Sequence, residues 1–387
     1  AFKDALRGRI SQQDMEIIFL LPFGRAIPIA EAEQRAVKAG IPVERLHDAI
    51  RRLVPEGFII SYVKTPEVQG GYDYPGAPLA DLQHEGRVVQ RGDLLVMGEQ
   101  QVRKPVDDPL RRETAKWFNV LIEDAGRSIS MKTPSFRVIP AEGAVREEPA
   151  YGRKIVINAE IPDPRETLPL DIVSEMVRKE PVIAVADCYC RRTKRIIGDP
   201  CDHPEETCMY FNELALVQIE TGRARRIDHD EALAILEMCE QAGLVHNISN
   251  CEGHITTLCN CCTCSCGVMK SLLLGGSNAT SPSRFVVAHA MDACTHCGVC
   301  VGACPMRAMA LRDGQLVIDF DRCIGCGLCV VKCPHGSLSM TLRENPPPVY
   351  RDSAALNRRH TREAILGLAR RRIREGFQAL MGSGKSS

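Results

Sequence analysis

Apolar residues recur at helical spacing three times in the first part of the chain. Residues 11–21 (SQQDMEIIFLL) predict a helix capped by Ser11 or Asp14 and stopped by Pro22. Ile29 to Ala39 predicts a second helix, ended by Gly40. A third opens with Pro42 in its first turn and spaces Val43, Leu46, Ile50 and Leu53 along one buried face. Phe58 to Lys64, with a turn at Gly70-Gly71, predicts a two-stranded ribbon. Farther on, Arg111 to Ala125 predicts a helix with Trp117, Leu121 and Ile122 on its apolar side, and Arg137–Pro140 and Lys154–Asn158 predict short strands. Prolines and glycines at 72–78 and 140–152 mark joints. Leu168 to Lys179 is amphipathic, the apolar run Pro181 to Ala186 predicts a buried strand, and Glu205 to Thr221 predicts a helix aiming its amino end at Cys208. Asp228 with Glu231 predicts a capping box on a helix that runs to Gly243 and buries Leu233, Ile235 and Leu236. Leu311 to Asp319 predicts a hairpin turning at Asp313-Gly314. After the stiff Pro346–Pro348 spacer, Ser353 to Met381 predicts one long helix. Ile365, Ala369, Ile373, Phe377 and Leu380 lie on one side of it, and arginines cover much of the rest.

Three short helices followed by a ribbon resemble a winged helix, a relative of the helix-turn-helix that often binds DNA. The third helix carries Arg45, Arg51 and Arg52 but also Glu44 and Asp48, a weaker bias than a groove-reading helix shows. Docking onto a partner or onto the rest of the chain is therefore the favoured role, and a DNA-binding redox regulator is the alternative.

The chain has 387 residues, 44% of them hydrophobic, enough for several packed cores. Its formal net charge is zero, so gross electrostatics names no partner and makes nucleic acid an unfavoured one. There is no run of about eighteen apolar residues to cross a bilayer. The basic tail helix can lie on an anionic membrane surface or pack on protein, the second being favoured. The first residue is Ala1, not Met, which leaves a removed leader open. No G-x-G-x-x-G, P-loop or Ser-centred elbow appears; the terminal GSGKSS has no helix after it. Nucleotide and flavin sites thus lack sequence support.

Nineteen cysteines change the picture. In a chain this long they argue for thiols kept available for metal in a reducing, cytoplasmic setting. Two runs, from Cys294 to Pro305 and from Cys323 to Pro334, both read C-x-x-C-x-x-C-x-x-x-C-P. Three thiols spaced by three line one tight loop, and the fourth of each run serves the other cluster. One 4Fe-4S cluster is thus expected on Cys294, Cys297, Cys300 and Cys333, the other on Cys323, Cys326, Cys329 and Cys304. Zinc or a disulfide framework is the bland alternative. The stretch resembles, over about fifty residues, the bacterial two-cluster ferredoxin domain, which implies one-electron transfer with no bond-making at the clusters.

The middle of the chain carries further candidates. Cys188 and Cys190 follow the buried strand in DCYCRR, and Cys201 and Cys208 follow in CDHPEETC, in a segment read as a loop dense with Arg191, Arg192, Lys194 and Arg195. Those charges can stabilise a reduced cluster or simply face water. Cys251 and then Cys259, Cys261, Cys262, Cys264 and Cys266 form a second set. In an extended chain Cys262, Cys264 and Cys266 would share one face at about 6 to 7 Å intervals, with Cys259 and Cys261 on the other. Six thiols so close together would cross-oxidise unless occupied. One or two further 4Fe-4S clusters are expected here, with zinc as the alternative and His203 and His254 as possible substitute ligands. Cys239, inside a helix beside Met238, is expected to be a packed core thiol.

These stretches resemble a group of large cysteine-rich ferredoxin-type proteins of anaerobic bacteria, in which D-C-Y-C-R, C-D-H-P-x-E-T-C and C-N-C-C precede a two-cluster domain. The resemblance implies electron transfer among redox enzymes, without a settled substrate; the leading expectation is an electron-transfer subunit of a redox complex rather than a stand-alone enzyme. An oxidoreductase whose cysteine-rich site reduces a substrate is a further alternative. The expected fold is α+β and multidomain: a winged-helix-like domain (1–78), a connecting segment (79–150), a cysteine-rich α/β domain (151–283), a two-cluster ferredoxin domain (284–345), and a proline spacer with a basic helix (346–387).

Overall fold

The computed structural model describes residues 10–21, 27–53, 59–64, 73–75, 87–90, parts of 112–119, 132–145, and 171–366 apart from 221, 254, 275–277 and 364–365. The expected strand Lys154–Asn158, the face around Trp117, the Gly70-Gly71 turn, His254 and the end of the tail helix lie outside the described residues.

At the amino end, helices α1 (Gln12–Leu20), α2 (Ile29–Lys38) and α3 (Val43–Leu53) pack on a sheet. Ser11 caps α1, and Asp14 returns a bond to its backbone, a capping box of about 1 kcal/mol. Leu46, Ala49, Ile50 and Leu53 form the buried face of α3; Val43, expected there, is only half-buried because it starts the helix at the rim. The ribbon is wider than expected. Strands β1 (Ile27–Pro28), β2 (Ile59–Lys64), β3 (Asp73–Pro75) and β4 (Arg87–Gln90) pair in the order β1-β4-β2-β3 among the described residues. Arg45 bonds Glu16, Arg52 bonds Asp14 and Arg51 bonds Asp48, so the cations of α3 are spent within the domain.

The middle of the chain is built on a mixed sheet. Its strands are β5 (Phe136–Ile139), β6 (Ile183–Asp187), β7 (Glu206–Phe211), β8 (Arg225–Ile227), β9 (Val245–Ser249), β10 (Thr257–Cys261) and β11 (Thr280–Ser281). Among the described residues their order is β11-β5-β9-β10-β7-β6-β8, antiparallel except for β11 on β5. Helices α4 (Glu142–Val145), α5 (Val173–Arg178), α6 (Tyr189–Ile196), α7 (Asn212–Glu220), α8 (His229–Gln241) and α9 (Gly267–Leu273) surround it. Asp228 caps α8 by accepting from the Glu231 amide, and Ile235, Leu236 and Cys239 are buried under it, with Leu233 half-buried. Cys239 is a core thiol, as its neighbours implied.

Two expectations fail here. Glu206–Phe211 is a strand, not the start of a helix. It pairs with β6 on one side and β10 on the other, and burial of the T-C-M-Y-F run outweighs the helix-opening look of Pro204-Glu205. The helix begins only at Asn212, whose positive φ of 54° turns the corner. The Arg191–Arg195 segment is a helix and not a loop, because nothing breaks it before Gly198. Arg191 and Lys194 are buried in it rather than solvated.

Beyond the sheet, β12 (Phe285–His289) pairs with β15 (Leu338–Leu342), and β13 (Met309–Arg312) forms the expected hairpin with β14 (Gln315–Ile318). Asp313 and Gly314 both have positive φ, as a two-residue turn of this kind requires. Short helices α10 (Val299–Ala303) and α11 (Leu328–Val331) are entered through Gly298 and Gly327 in the left-handed region. The tail helix, described over 353–363, docks on its own chain: Thr133 donates to Glu363, and His360 contacts the Thr133 carbonyl oxygen. Among the described residues no helix is long and apolar enough to cross a membrane.

Candidate metal centres

All nineteen cysteines are free thiols, which removes a disulfide framework. Packing sorts seventeen of them into four groups and leaves Cys239 and Cys251 apart.

Two groups lie around the β13–β14 hairpin. One hollow is lined by Cys294, Cys297, Cys300 and Cys333, together with His296, Val299 and Leu311. The other is lined by Cys304, Cys323, Cys326 and Cys329, with Met306, Met309 and Met340. Each gathers three thiols of one run and the remote fourth of the other, the exchange that the spacing predicts. Backbone groups are aimed at these sulfurs: the Ala308 amide donates to Cys304 Sγ at 3.2 Å. Burial pushes the Cys326 thiol up to about 12 and Cys329 higher still, so neither ionises readily without a cation beside it. Each hollow has one buried thiol, Cys333 in the first and Cys329 in the second, but only the first has an exposed one, Cys297, so it lies nearer water on that side.

The third group is a ring. Cys188 interacts with Cys190 and Cys208, Cys190 with Cys266, Cys266 with Cys261, Cys261 with Cys259, and Cys259 with Cys208. Six thiols thus close around one hollow, whose wall also includes Cys262, Phe136, Arg191, Asn247 and Asn260. Strand β6 delivers Cys188 at the cap of α6 and Cys190 one step in; β7 contributes Cys208, β10 contributes Cys259 and Cys261, and Cys266 caps α9. Hydrogen bonds passed around the ring hold alternate thiols down: Cys259 at about 5 by Cys208 and Cys261, with Cys188 and Cys266 also well below a free thiol. The intervening Cys190, Cys208 and Cys261, which donate those bonds, are pushed well above a free thiol, so only a bound cation would draw all six protons off.

Arg191 touches this ring from behind. Its Nη2 bonds Thr207 Oγ1 and the carbonyl oxygen of Asn260, the latter at 3.1 Å. Burial works against its charge, but Cys188, Cys262 and Cys208 outweigh it and keep it protonated. Its Nε and Nη1 are buried without a hydrogen-bond partner. An all-thiol donor set beside two orphan cationic N–H groups fits an anionic iron–sulfur group, whose sulfides accept such bonds.

The fourth group is Cys201, His203, Cys262 and Cys264, whose ligand atoms all lie within 4.8 Å of one another. The extended-chain expectation holds for Cys259 and Cys261, which share one side of β10, and fails for Cys262, Cys264 and Cys266. The strand stops at Cys261 and a turn follows, so Cys259, Cys261 and Cys266 face the ring, Cys264 joins the fourth group, and Cys262, which that group shares, also borders the ring hollow. Cys251 belongs to neither set; its sulfur lies 3.6 Å from Ser353 Oγ, near the tail helix.

Sequence reasoning missed the polar layer behind the ring. His246 Nδ1 contacts Asn260 Oδ1 at 2.6 Å and its Nε2 contacts Glu240 Oε1 at 3.2 Å, all three side chains being buried. Asn260 lies between Cys259 and Cys261 and donates to the Thr207 carbonyl oxygen at 2.7 Å, which locks β10 against β7. The signal available was the polar Asn in C-N-C and the polar pair His246-Asn247 inside a strand that is otherwise buried.

Comparison with known proteins bears on the last part of the chain. Residues 286–345 match the family of 4Fe-4S dicluster domains. No curated protein and no solved structure matches the chain. The match gives this region two 4Fe-4S clusters and a role in electron transfer.

Proposed function

We propose that the chain is an electron-transfer protein of a larger redox complex, carrying a third iron–sulfur cluster in the six-thiol ring. Bound clusters of this type supply reversible one-electron transfer. The chain's own residues supply spacing, insulation and direction. Cys294, Cys297, Cys300 and Cys333 hold one dicluster group; Cys323, Cys326, Cys329 and Cys304 hold the other.

The observation that carries the reading is a shared core. Cys261 and Cys266 of the ring pack in one buried apolar cluster with Cys329 and Cys333, and Cys259, Cys304 and Cys326 lie at its margin. Continuous packing, with the Cys323–Cys329 hollow nearest the middle sheet, supports a path from the ring through that site to the Cys294 site. Cys297 is exposed there, and Val299 and Leu311 beside it are each 44% exposed, an apolar rim suited to a redox partner. Arg191 makes the ring the less reducing end, since a fixed cation favours the more negative reduced state.

A DNA-binding regulator has less support, because Arg45, Arg51 and Arg52 are each held by an acid of the same domain. The test is iron and acid-labile sulfide on anaerobically purified full-length protein. The reading expects more iron than the eight atoms of two 4Fe-4S clusters, falling to eight in a Cys261→Ser/Cys266→Ser variant. Eight in the unaltered chain would remove the third cluster.

A further inference from the structure

The group of Cys201, His203, Cys262 and Cys264 has dimensions of its own. Cys201 Sγ lies 4.0 Å from Cys262 Sγ, and Cys264 Sγ lies 3.6 Å from His203 Nδ1. Tetrahedral zinc, with Zn–S about 2.3 Å and Zn–N about 2.0–2.1 Å, sets sulfurs about 3.8 Å apart and sulfur and nitrogen about 3.5 Å apart. The thiolates of a cubane each bind a different iron and so stand farther apart than these four atoms do. We infer that these residues form a closed, mononuclear zinc site beside the ring, with Cys262 on the wall between the two.

Donor chemistry selects the ion. Three soft thiolates and one imidazole, with no carboxylate, match a structural zinc set and disfavour magnesium, calcium and manganese. The ligands come as two short hooks, Cys201-x-His203 after α6 and Cys262-x-Cys264 between β10 and α9. Each hook presents two donors from one turn, so neither has to be drawn from a distant element. Ser265 Oγ lies 4.0 Å from Cys264 Sγ, an outer contact of the kind that orients a metal-bound thiolate. Cys262 is buried while Cys264 is exposed, which leaves an entry path for the ion from solvent.

The placement gives the ion a task. Cys261 and Cys266 belong to the ring, and Cys262 and Cys264 lie between them in sequence. An ion that ties this turn to the Cys201 loop holds both flanking ring thiols in register. The zinc site thus acts as a clasp on the mouth of the ring rather than as an electron carrier, since zinc has no accessible redox change.

The experiment is metal analysis with optical and EPR spectroscopy on anaerobically purified full-length chain. One zinc per chain is expected, lost in Cys201→Ser/Cys264→Ser and retained in His203→Cys, with the EPR of the dicluster region unchanged in both. Where the double variant fails to fold, growth on cobalt keeps the test open. A tetrahedral cobalt spectrum with thiolate charge-transfer bands is expected, shifting toward an all-sulfur pattern in His203→Cys. Absence of zinc, zinc unaffected by the double variant, an octahedral cobalt spectrum, or loss of a 4Fe-4S signal in His203→Cys would each overturn the assignment. The zinc count is independent of the iron count, so the site can stand or fall apart from the third cluster.

Discussion

The amide of Ala141 donates to the carbonyl oxygen of Cys326 across 2.9 Å. Through this bond the corner between β5 and α4, in the middle of the chain, is joined to the thiol loop of the dicluster region. Gly327, next in sequence, has φ of +75°, and a Cβ there would come within 2.6 Å of Ala144 Cβ. The two parts meet through a backbone hydrogen bond and through the Ala144 methyl, which is too short to swing aside.

That closeness predicts a sharp cost for Gly327→Ala. The left-handed backbone alone costs about 1–3 kcal/mol for a residue with a Cβ, and the overlap with Ala144 adds to it. Thermal unfolding of the holoprotein should fall, and iron should be lost from the Cys323–Cys329 site first. Adding Ala144→Gly should restore part of the loss by relieving the overlap but not the backbone strain.

Arg191 is predicted to set the potential of the ring centre. Arg191→Met removes a buried cation, and the midpoint of the middle cluster should drop by about 50–100 mV, equivalent to about 1–2 kcal/mol for one electron. The two dicluster potentials should stay put. Redox titration followed by EPR separates the signals, and an unchanged third midpoint would refute the role given to this side chain.

Arg137 and Asp171 form an ion pair at 3.3 Å with both side chains almost wholly buried, and Arg284 lies 3.6 Å from the other Asp171 oxygen. Asp171→Ala strands a buried guanidinium and should destabilise the middle sheet by about 3–5 kcal/mol. Denaturant unfolding of the holoprotein checks it. Arg284→Ala, at a half-buried position, should cost clearly less.

The amino-terminal domain should weaken in acid. Burial raises the Asp14 pKa, but hydrogen bonds from Arg52 and Ser11 outweigh it and hold the carboxyl below its usual 3.8. A depressed folded-state pKa means that the stabilisation is complete above about pH 4 and disappears as pH falls through the folded value. Amide protection over residues 12–53, corrected for the intrinsic exchange rate at each pH, should therefore fall below about pH 4 in the unaltered chain, and Asp14→Asn should flatten that dependence with lower protection at neutral pH.

The dicluster region was legible from sequence because its thiols are local. Each run supplies three sulfurs within one tight loop, and the spacing alone dictates which remote cysteine completes the set. The hairpin at Asp313-Gly314, the Ser11 cap and the buried Cys239 were readable for the same reason, each being settled by neighbours a few residues away. The middle cysteines were legible as metal-seeking but not as groups. Cys264 and Cys266 are two residues apart and face different centres, because β10 ends at Cys261 and a turn intervenes before α9. Cys188 and Cys266 are far apart in sequence and share one ring, because β6, β7 and β10 lie side by side in the sheet. From sequence Arg191 could as well face a cluster as water, and only the structure shows α6 rolling it inward beneath the thiols. Composition and spacing determined that this chain collects sulfur for metal. Only the pairing of distant strands decided how those sulfurs are shared out, because long-range backbone register is fixed by burial across the whole sheet, which short stretches of sequence do not encode.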